Sequence, residues 1–206
     1  FGTQASFFDY DNDGWLDLLS ANGAVRFLEP PTKANPYPLA QSNQLVRNLG
    51  NGRFLEVTQQ AGTAFVRPEV NRGAAFGDID NDGDQDLFIT YRLHPNRMYL
   101  NHGGLVMEDI SETCGILIAD RRSYGASFGD YDNDGLLDLY VSSYKPGVEH
   151  VVRDYLGQAD ENEPDAFYFG TPDRKFEERR ESLGFSRVTQ PMGINTGDID
   201  NDGFLD

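Results

Sequence analysis

"GASFGDYDNDGLLDLYVSSY", residues 125–144, sets a nine-residue acidic string between an apolar stretch and a strand-like run. The string is DYDNDGLLD, 130–138, and it holds four aspartates. Near copies stand at 9–17 (DYDNDGWLD), 78–86 (DIDNDGDQD) and 198–206 (DIDNDGFLD). Two unit charges about 4 Å apart repel by roughly 1 kcal/mol in water and about 4 kcal/mol near a protein surface. Four carboxylates in one tight loop therefore cost an energy that rivals the roughly 5–15 kcal/mol holding a domain together. A compact loop of this kind calls for a cation.

The spacing fits calcium, which takes six to eight oxygens from loop positions 1, 3 and 5, a carbonyl at 7 and a closing acid, with glycine at 6. Positions 1, 3, 5 and 9 are Asp9, Asp11, Asp13 and Asp17 in the first copy, and Asp78, Asp80, Asp82 and Asp86 in the second. They are Asp130, Asp132, Asp134 and Asp138 in the third, and Asp198, Asp200, Asp202 and Asp206 in the fourth. Position 6 is Gly14, Gly83, Gly135 or Gly203, able to take the positive φ of a sharp turn. Position 4 is always asparagine, which suits an Asx-type turn. Position 7 reads Trp15, Asp84, Leu136 and Phe204. That variation is expected where only the backbone carbonyl binds, with position 9 closing the shell. Magnesium prefers a small octahedral site with retained waters. Zinc and copper prefer histidine or cysteine, and His94, His102 and His150 all lie outside the four strings. The expected cofactor is Ca²⁺, up to four ions with a structural role.

The net charge is −17, and the recurring aspartates carry nearly all of it. The acidity is thus local and ligand-like rather than that of an acidic tail. No basic stripe or recognition motif points to nucleic acid, and no apolar run reaches the roughly eighteen residues of a membrane span. The single cysteine, Cys114, cannot form an internal disulfide and reads as a buried small hydrophobe.

The strings begin at 9, 78, 130 and 198, a long-period repeat. Short apolar stretches (QASFF, GAAFG, GASFG, GINTG) precede them, and the first three are followed by LDLLSA, QDLFITYR and LDLYVSSY. Leu87, Ile89 and Tyr91 share one face of such a run, and Phe88 and Thr90 the other. Strands apolar on both faces belong between two layers. Each acidic string therefore reads as a β-hairpin loop. A second strand pair follows in each unit, at 43–62, 96–115 and 165–184. Four antiparallel strands per unit make the blade of a β-propeller. The fold class is all-β, a single region over 1–206 with units of about 1–66, 67–118, 119–186 and an incomplete 187–206. Three and a third blades do not close a ring, so the chain, from Phe1 to Asp206, reads as a mature or truncated piece.

The F-G-D-x-D-N-D-G-x-x-D strings, followed by N-x-L-x-x-N-x-G-N-G-x-F-x-x-V-T-x-x-A-G, resemble FG-GAP/VCBS repeats. Those are the calcium-loop blades of integrin α-chain propellers. The nearest flavour is the bacterial secreted ASPIC/UnbV, cartilage-acidic-protein-like group. The resemblance covers essentially the whole chain and implies calcium at the four loops. One departure is Phe8, where the other copies have Gly77, Gly129 and Gly197.

No nucleophile elbow, metal-spaced histidine pair or phosphate loop is present, so the chain is expected not to be an enzyme. The leading function is a calcium-binding extracellular scaffold, adhesion or assembly module, in an extracellular or periplasmic, bacterial setting. The alternative is the propeller part of a secreted carbohydrate-active enzyme, a polysaccharide lyase or hydrolase. Long insertions at 22–42 and 143–164 fall on the face opposite the acidic loops. Arg67, Arg72, Arg92, His94, Arg121, Arg122 and Arg187 are placed there too, and the expected partner is a protein or an acidic polysaccharide.

Overall fold

A computed structural model describes residues 2–22, 41–92, 94–104, 107–116, 122–144, 147–158, 164–185, 189, 191 and 193–205. Residues 23–40 of the insertion at 22–42, with Arg121, Arg187 and Asp206, lie outside the described residues. Three four-stranded antiparallel sheets stand side by side, each with its strands in sequence order. The first holds β1 (Gly2–Phe8), β2 (Asp17–Asn22), β3 (Gln44–Asn48) and β4 (Phe54–Glu56). The second holds β5 (Asn71–Gly77), β6 (Asp86–Tyr91), β7 (Arg97–Asn101) and β8 (Met107–Asp109). The third holds β9 (Ser123–Gly129), β10 (Asp138–Ser143), β11 (Ala166–Gly170) and β12 (Phe176–Glu178). This is the blade arrangement that the repeat pattern implies.

The alternation of β6 sorts its side chains between two neighbours. Leu87, Ile89 and Tyr91 enter a core shared with Phe8, Leu19, Leu45 and Phe65 of the first blade. Phe88 enters a second core with Leu139, Val141, Tyr168 and Phe176 of the third. The Thr90 hydroxyl donates to the Tyr124 carbonyl at 2.7 Å, across the same boundary. Blades approach closely here: a Cβ on Gly73 would stand 2.3 Å from the Tyr124 carbonyl oxygen. Cys114 is buried in the second core, and burial pushes its thiol pKa up. The departure at Phe8 is also a packing choice. Phe8 stacks on Phe76 with ring centroids 4.1 Å apart. At Gly77 and Gly129, a Cβ would meet Leu137 and Leu205 of the next repeat at 2.6 and 2.9 Å.

Two short helices add to the strands. α1 spans Thr63–Val66. α2 spans Val148–Tyr155, inside the insertion at 143–164. Val148, Val151, Val152 and Tyr155 recur at helical spacing, yet all are exposed. The fourth unit differs from the sequence expectation: its loop forms, but residues 193–197 pair with no strand among the described residues. In the other units the partner strand begins at loop position 9, which here is Asp206.

Candidate metal centre

The first three acidic strings each join the first two strands of their blade, with Phe8 paired to Asp17, Gly77 to Asp86 and Gly129 to Asp138. Asparagine at position 4 is left-handed in all four, with φ between 55° and 66°. That conformation is open to asparagine at little cost. Gly14, Gly83, Gly135 and Gly203 have φ of 86–95°.

The same hydrogen bonds recur. The position-1 carboxylate accepts the N–H groups of positions 5 and 6: Asp13 and Gly14 for Asp9, Asp82 and Gly83 for Asp78. Asp130 and Asp198 repeat this. The position-5 carboxylate accepts the N–H of position 7, at Trp15, Asp84, Leu136 and Phe204. These bonds curl the loop and turn the remaining oxygen lone pairs inward.

Ligand atoms of positions 1 and 3 come within 4.8 Å of a third carboxylate in every loop. The third is position 5 in loops 1 and 4 (Asp13, Asp202) and position 9 in loops 2 and 3 (Asp86, Asp138). Asp17, Asp82 and Asp134 stand outside these four groups, and Asp82 instead falls in a further one with Asp80 and His102. Position 9 has a second task. Asp17 accepts the N–H groups of Tyr10 and Asn48, Asp86 those of Ile79 and Asn101, and Asp138 those of Tyr131 and Gly170. One buried carboxylate thus ties the loop to the third strand of its blade. Burial pushes the Asp86 carboxyl up to about 7, against the pull of its two N–H donors. Burial likewise raises Asp17 and Asp138.

Position 3 carries a carboxylate oxygen that no protein donor meets in loops 1 and 2. Asp11 Oδ2 meets Arg47 Nε at 2.6 Å, and Asp80 Oδ2 meets Arg174 Nη1 at 3.2 Å. In both, Oδ1 is buried without a hydrogen-bond partner. A buried carboxylate oxygen with no partner is costly unless a cation meets it. Clustered carboxylates with inward oxygens and only acceptor chemistry could hold a hard divalent ion, and Asp9, Asp11, Asp13, Asp78, Asp80, Asp86, Asp130, Asp132, Asp138, Asp198, Asp200 and Asp202 are the residues brought together for it.

Several residues at the loops escape the repeat pattern. Arg47 also pairs with Asp13, at 2.9 Å, and holds that carboxyl below its usual range. Arg174 reaches loop 2 from the β11–β12 turn of the next blade. His102 lies outside the acidic strings in sequence, yet the β7–β8 turn brings it to 4.0 Å from Asp82. Side chains at position 7 are not free either. Trp15 covers Gly50, and Asp84 accepts from Asn12 of loop 1. On the opposite face, Arg72 corrects the sequence reading. It is 6% exposed and lies over the Tyr124 ring at 5.7 Å, so it belongs to packing rather than to a working surface. Arg67 pairs with Glu69 at 3.7 Å.

Blades of this build, each with an aspartate-rich loop between its first two strands, define a class of repeat protein. A profile of FG-GAP-like repeats matches residues 9–89 and 78–141, and the chain belongs to that family. It is 29% identical to cartilage acidic protein 1 of Mus musculus over 177 residues, 80% of this chain and 24% of that protein. The Homo sapiens protein of that name is 28% identical over the same share of the chain. The Xenopus tropicalis one is 24% identical over 109 residues, 53% of the chain. The chain spans less than a quarter of the length of these relatives.

Proposed function

We propose that this chain is a calcium-stabilised, non-enzymatic repeat module that works outside the cell as a scaffold for assembly or adhesion. The observation that carries the metal is the orphaned Oδ1 of Asp11 and Asp80, repeated at the same position of two loops. Calcium in such loops neutralises the aspartates and fixes the hairpin, a role that needs no substrate. Extracellular calcium modules bind at about 10⁻⁴–10⁻³ M, which favours that compartment. Among the described residues no helix is long and apolar enough to cross a membrane. The partner is a protein that docks on the face away from the acidic loops. The exposed apolar stripe of α2 supports a protein over an acidic polysaccharide, and Arg72, buried over the Tyr124 ring, is not free to meet a polyanion.

The chain's single tryptophan, Trp15, sits at position 7 of loop 1 and can sensitise bound terbium. Excitation of Trp15 should give terbium luminescence that calcium displaces and magnesium displaces poorly. No sensitised signal, or displacement by magnesium as readily as by calcium, contradicts the reading.

A further inference from the structure

The chain has two asparagine–glycine pairs, Asn22–Gly23 and Asn51–Gly52. Such a pair can react with itself. Glycine has no Cβ to hinder its backbone nitrogen from reaching the side-chain carbon of the asparagine before it. The fold treats the two asparagines in opposite ways. Asn22 ends β2, and both arms of its amide are held: Nδ2 donates to the Ser42 carbonyl at 2.9 Å, and Oδ1 accepts from the Ser20 hydroxyl at 2.9 Å. Its own N–H donates to Asn43 Oδ1 at 3.2 Å.

Asn51 stands in the turn between β3 and β4, where Asn51, Gly52 and Arg53 are all exposed. Among the described residues, neither Asn51 Nδ2 nor the Gly52 N–H donates to another group. Asn51 Oδ1 accepts the N–H of Arg53 at 3.1 Å. This is an Asx turn, and the ring it closes contains both Asn51 Cγ and the Gly52 nitrogen. The bond that holds the side chain therefore curls Cγ over the atom that would attack it. It also sets an N–H donor on the oxygen where negative charge develops once that nitrogen adds to Cγ. A Cβ on Gly52 would meet nothing within 4 Å, so the turn has room to bend as the ring closes.

We propose that Asn51 is a site of spontaneous covalent modification, a deamidation site on the face that carries the acidic loops. The Gly52 nitrogen gives up its proton to solvent and bonds to Asn51 Cγ. The Cγ–Nδ2 bond breaks, Nδ2 takes a proton and leaves as ammonia, and a succinimide remains. Water then opens the ring at either carbonyl, giving aspartate or isoaspartate; water is the sole co-reactant and nothing is oxidised or reduced. The turn meets loop 1 directly, since Trp15 covers Gly50 and Asn48 Nδ2 donates to the Leu16 carbonyl at 3.0 Å. Conversion thus adds a lasting negative charge beside loop 1, and the isoaspartyl product also lengthens the main chain next to Gly50.

The test ages the whole chain at neutral pH in calcium, then maps its peptides by mass spectrometry. The peptide holding 51–52 should show a growing fraction with the amide-to-acid mass gain, with ammonia released in step. An isoaspartate-specific methyltransferase should label that peptide. The peptide holding 22–23 should stay unchanged in the folded chain and convert once the chain is unfolded in denaturant. Asn51→Gln should lose the conversion seen in the folded wild type. An unchanged 51–52 peptide overturns the proposal, as does conversion at 22 as fast as at 51 in the folded chain. Protection of 22–23 that persists in denaturant, or undiminished ammonia release from Asn51→Gln, overturns it equally.

Discussion

The side-chain amide of Asn12 donates to the carbonyl oxygen of Gly83 at 3.0 Å, tying the acidic loop of the first blade to that of the second. Asn133 donates to Gly203 at 2.9 Å, joining the third loop to the fourth. Position 4 therefore has two duties: a left-handed turn and a link between loops.

Substitution separates those duties. Asn12→Gly keeps the turn and removes the link, a loss of about 0.5–1.5 kcal/mol. Asn12→Ala adds the left-handed penalty, roughly 1–2 kcal/mol more. Urea melts of both variants check this; equal stability of the two would remove the conformational part of the account.

Arg47 acts as an internal counter-charge for Asp11 and Asp13. Without calcium, Arg47→Met should destabilise the protein by about 0.2–1 kcal/mol, the usual size for an exposed ion pair. With the competing charge gone, terbium affinity read through Trp15 should rise a few-fold. A fall in affinity would mean that Arg47 organises the loop rather than competes with the ion.

Asp86 gives a pH signature. Its folded pKa, about 7, lies above the unfolded value of about 3.9. Without a cation, its contribution to stability is full below about pH 4 and is lost as pH rises through about 7. In chelator, acidification from about pH 8 to pH 5.5 should therefore favour the folded wild type relative to Asp86→Asn. In saturating calcium the trend should reverse, because protons then compete with the ion. Thermal melts across pH, with and without calcium, decide it. The same slope in both arms would remove the cation from the environment of Asp86.

Gly50 and Gly52 both have positive φ, 69° and 77°. A Cβ on Gly50 would stand 2.6 Å from Trp15 Nε1, whereas Gly52 has open space around it. Gly50→Ala should thus cost more than Gly52→Ala, and Trp15→Ala should recover the excess but not the backbone part. Chemical denaturation of the singles and the double mutant gives the coupling energy; strict additivity would mean that Trp15 does not cover Gly50.

The hairpins, the four-strand blades and the two-sided burial of β6 were legible because they rest on local alternation and a repeated turn grammar. Leu87 and Phe88 enter different cores simply because they are adjacent in a strand. Arg47, Arg174 and His102 were not legible at the loops, because each arrives from a turn or strand far away in sequence. Arg174 even comes from the next blade, and a repeat pattern does not say which neighbour leans in. Arg72 was misplaced for a related reason: charge suggests a surface, but a guanidinium over an aromatic ring can be buried. Variation at position 7 was read as freedom, whereas Trp15 and Asp84 each have a contact of their own.

The most direct measurement is the melting temperature of the whole chain in EGTA, then after restoring calcium or an equal concentration of magnesium. Preferential binding to the folded state should raise the melting temperature by many degrees with calcium and only slightly with magnesium. The same melting temperature in EGTA and in calcium would contradict a structural role for the ion.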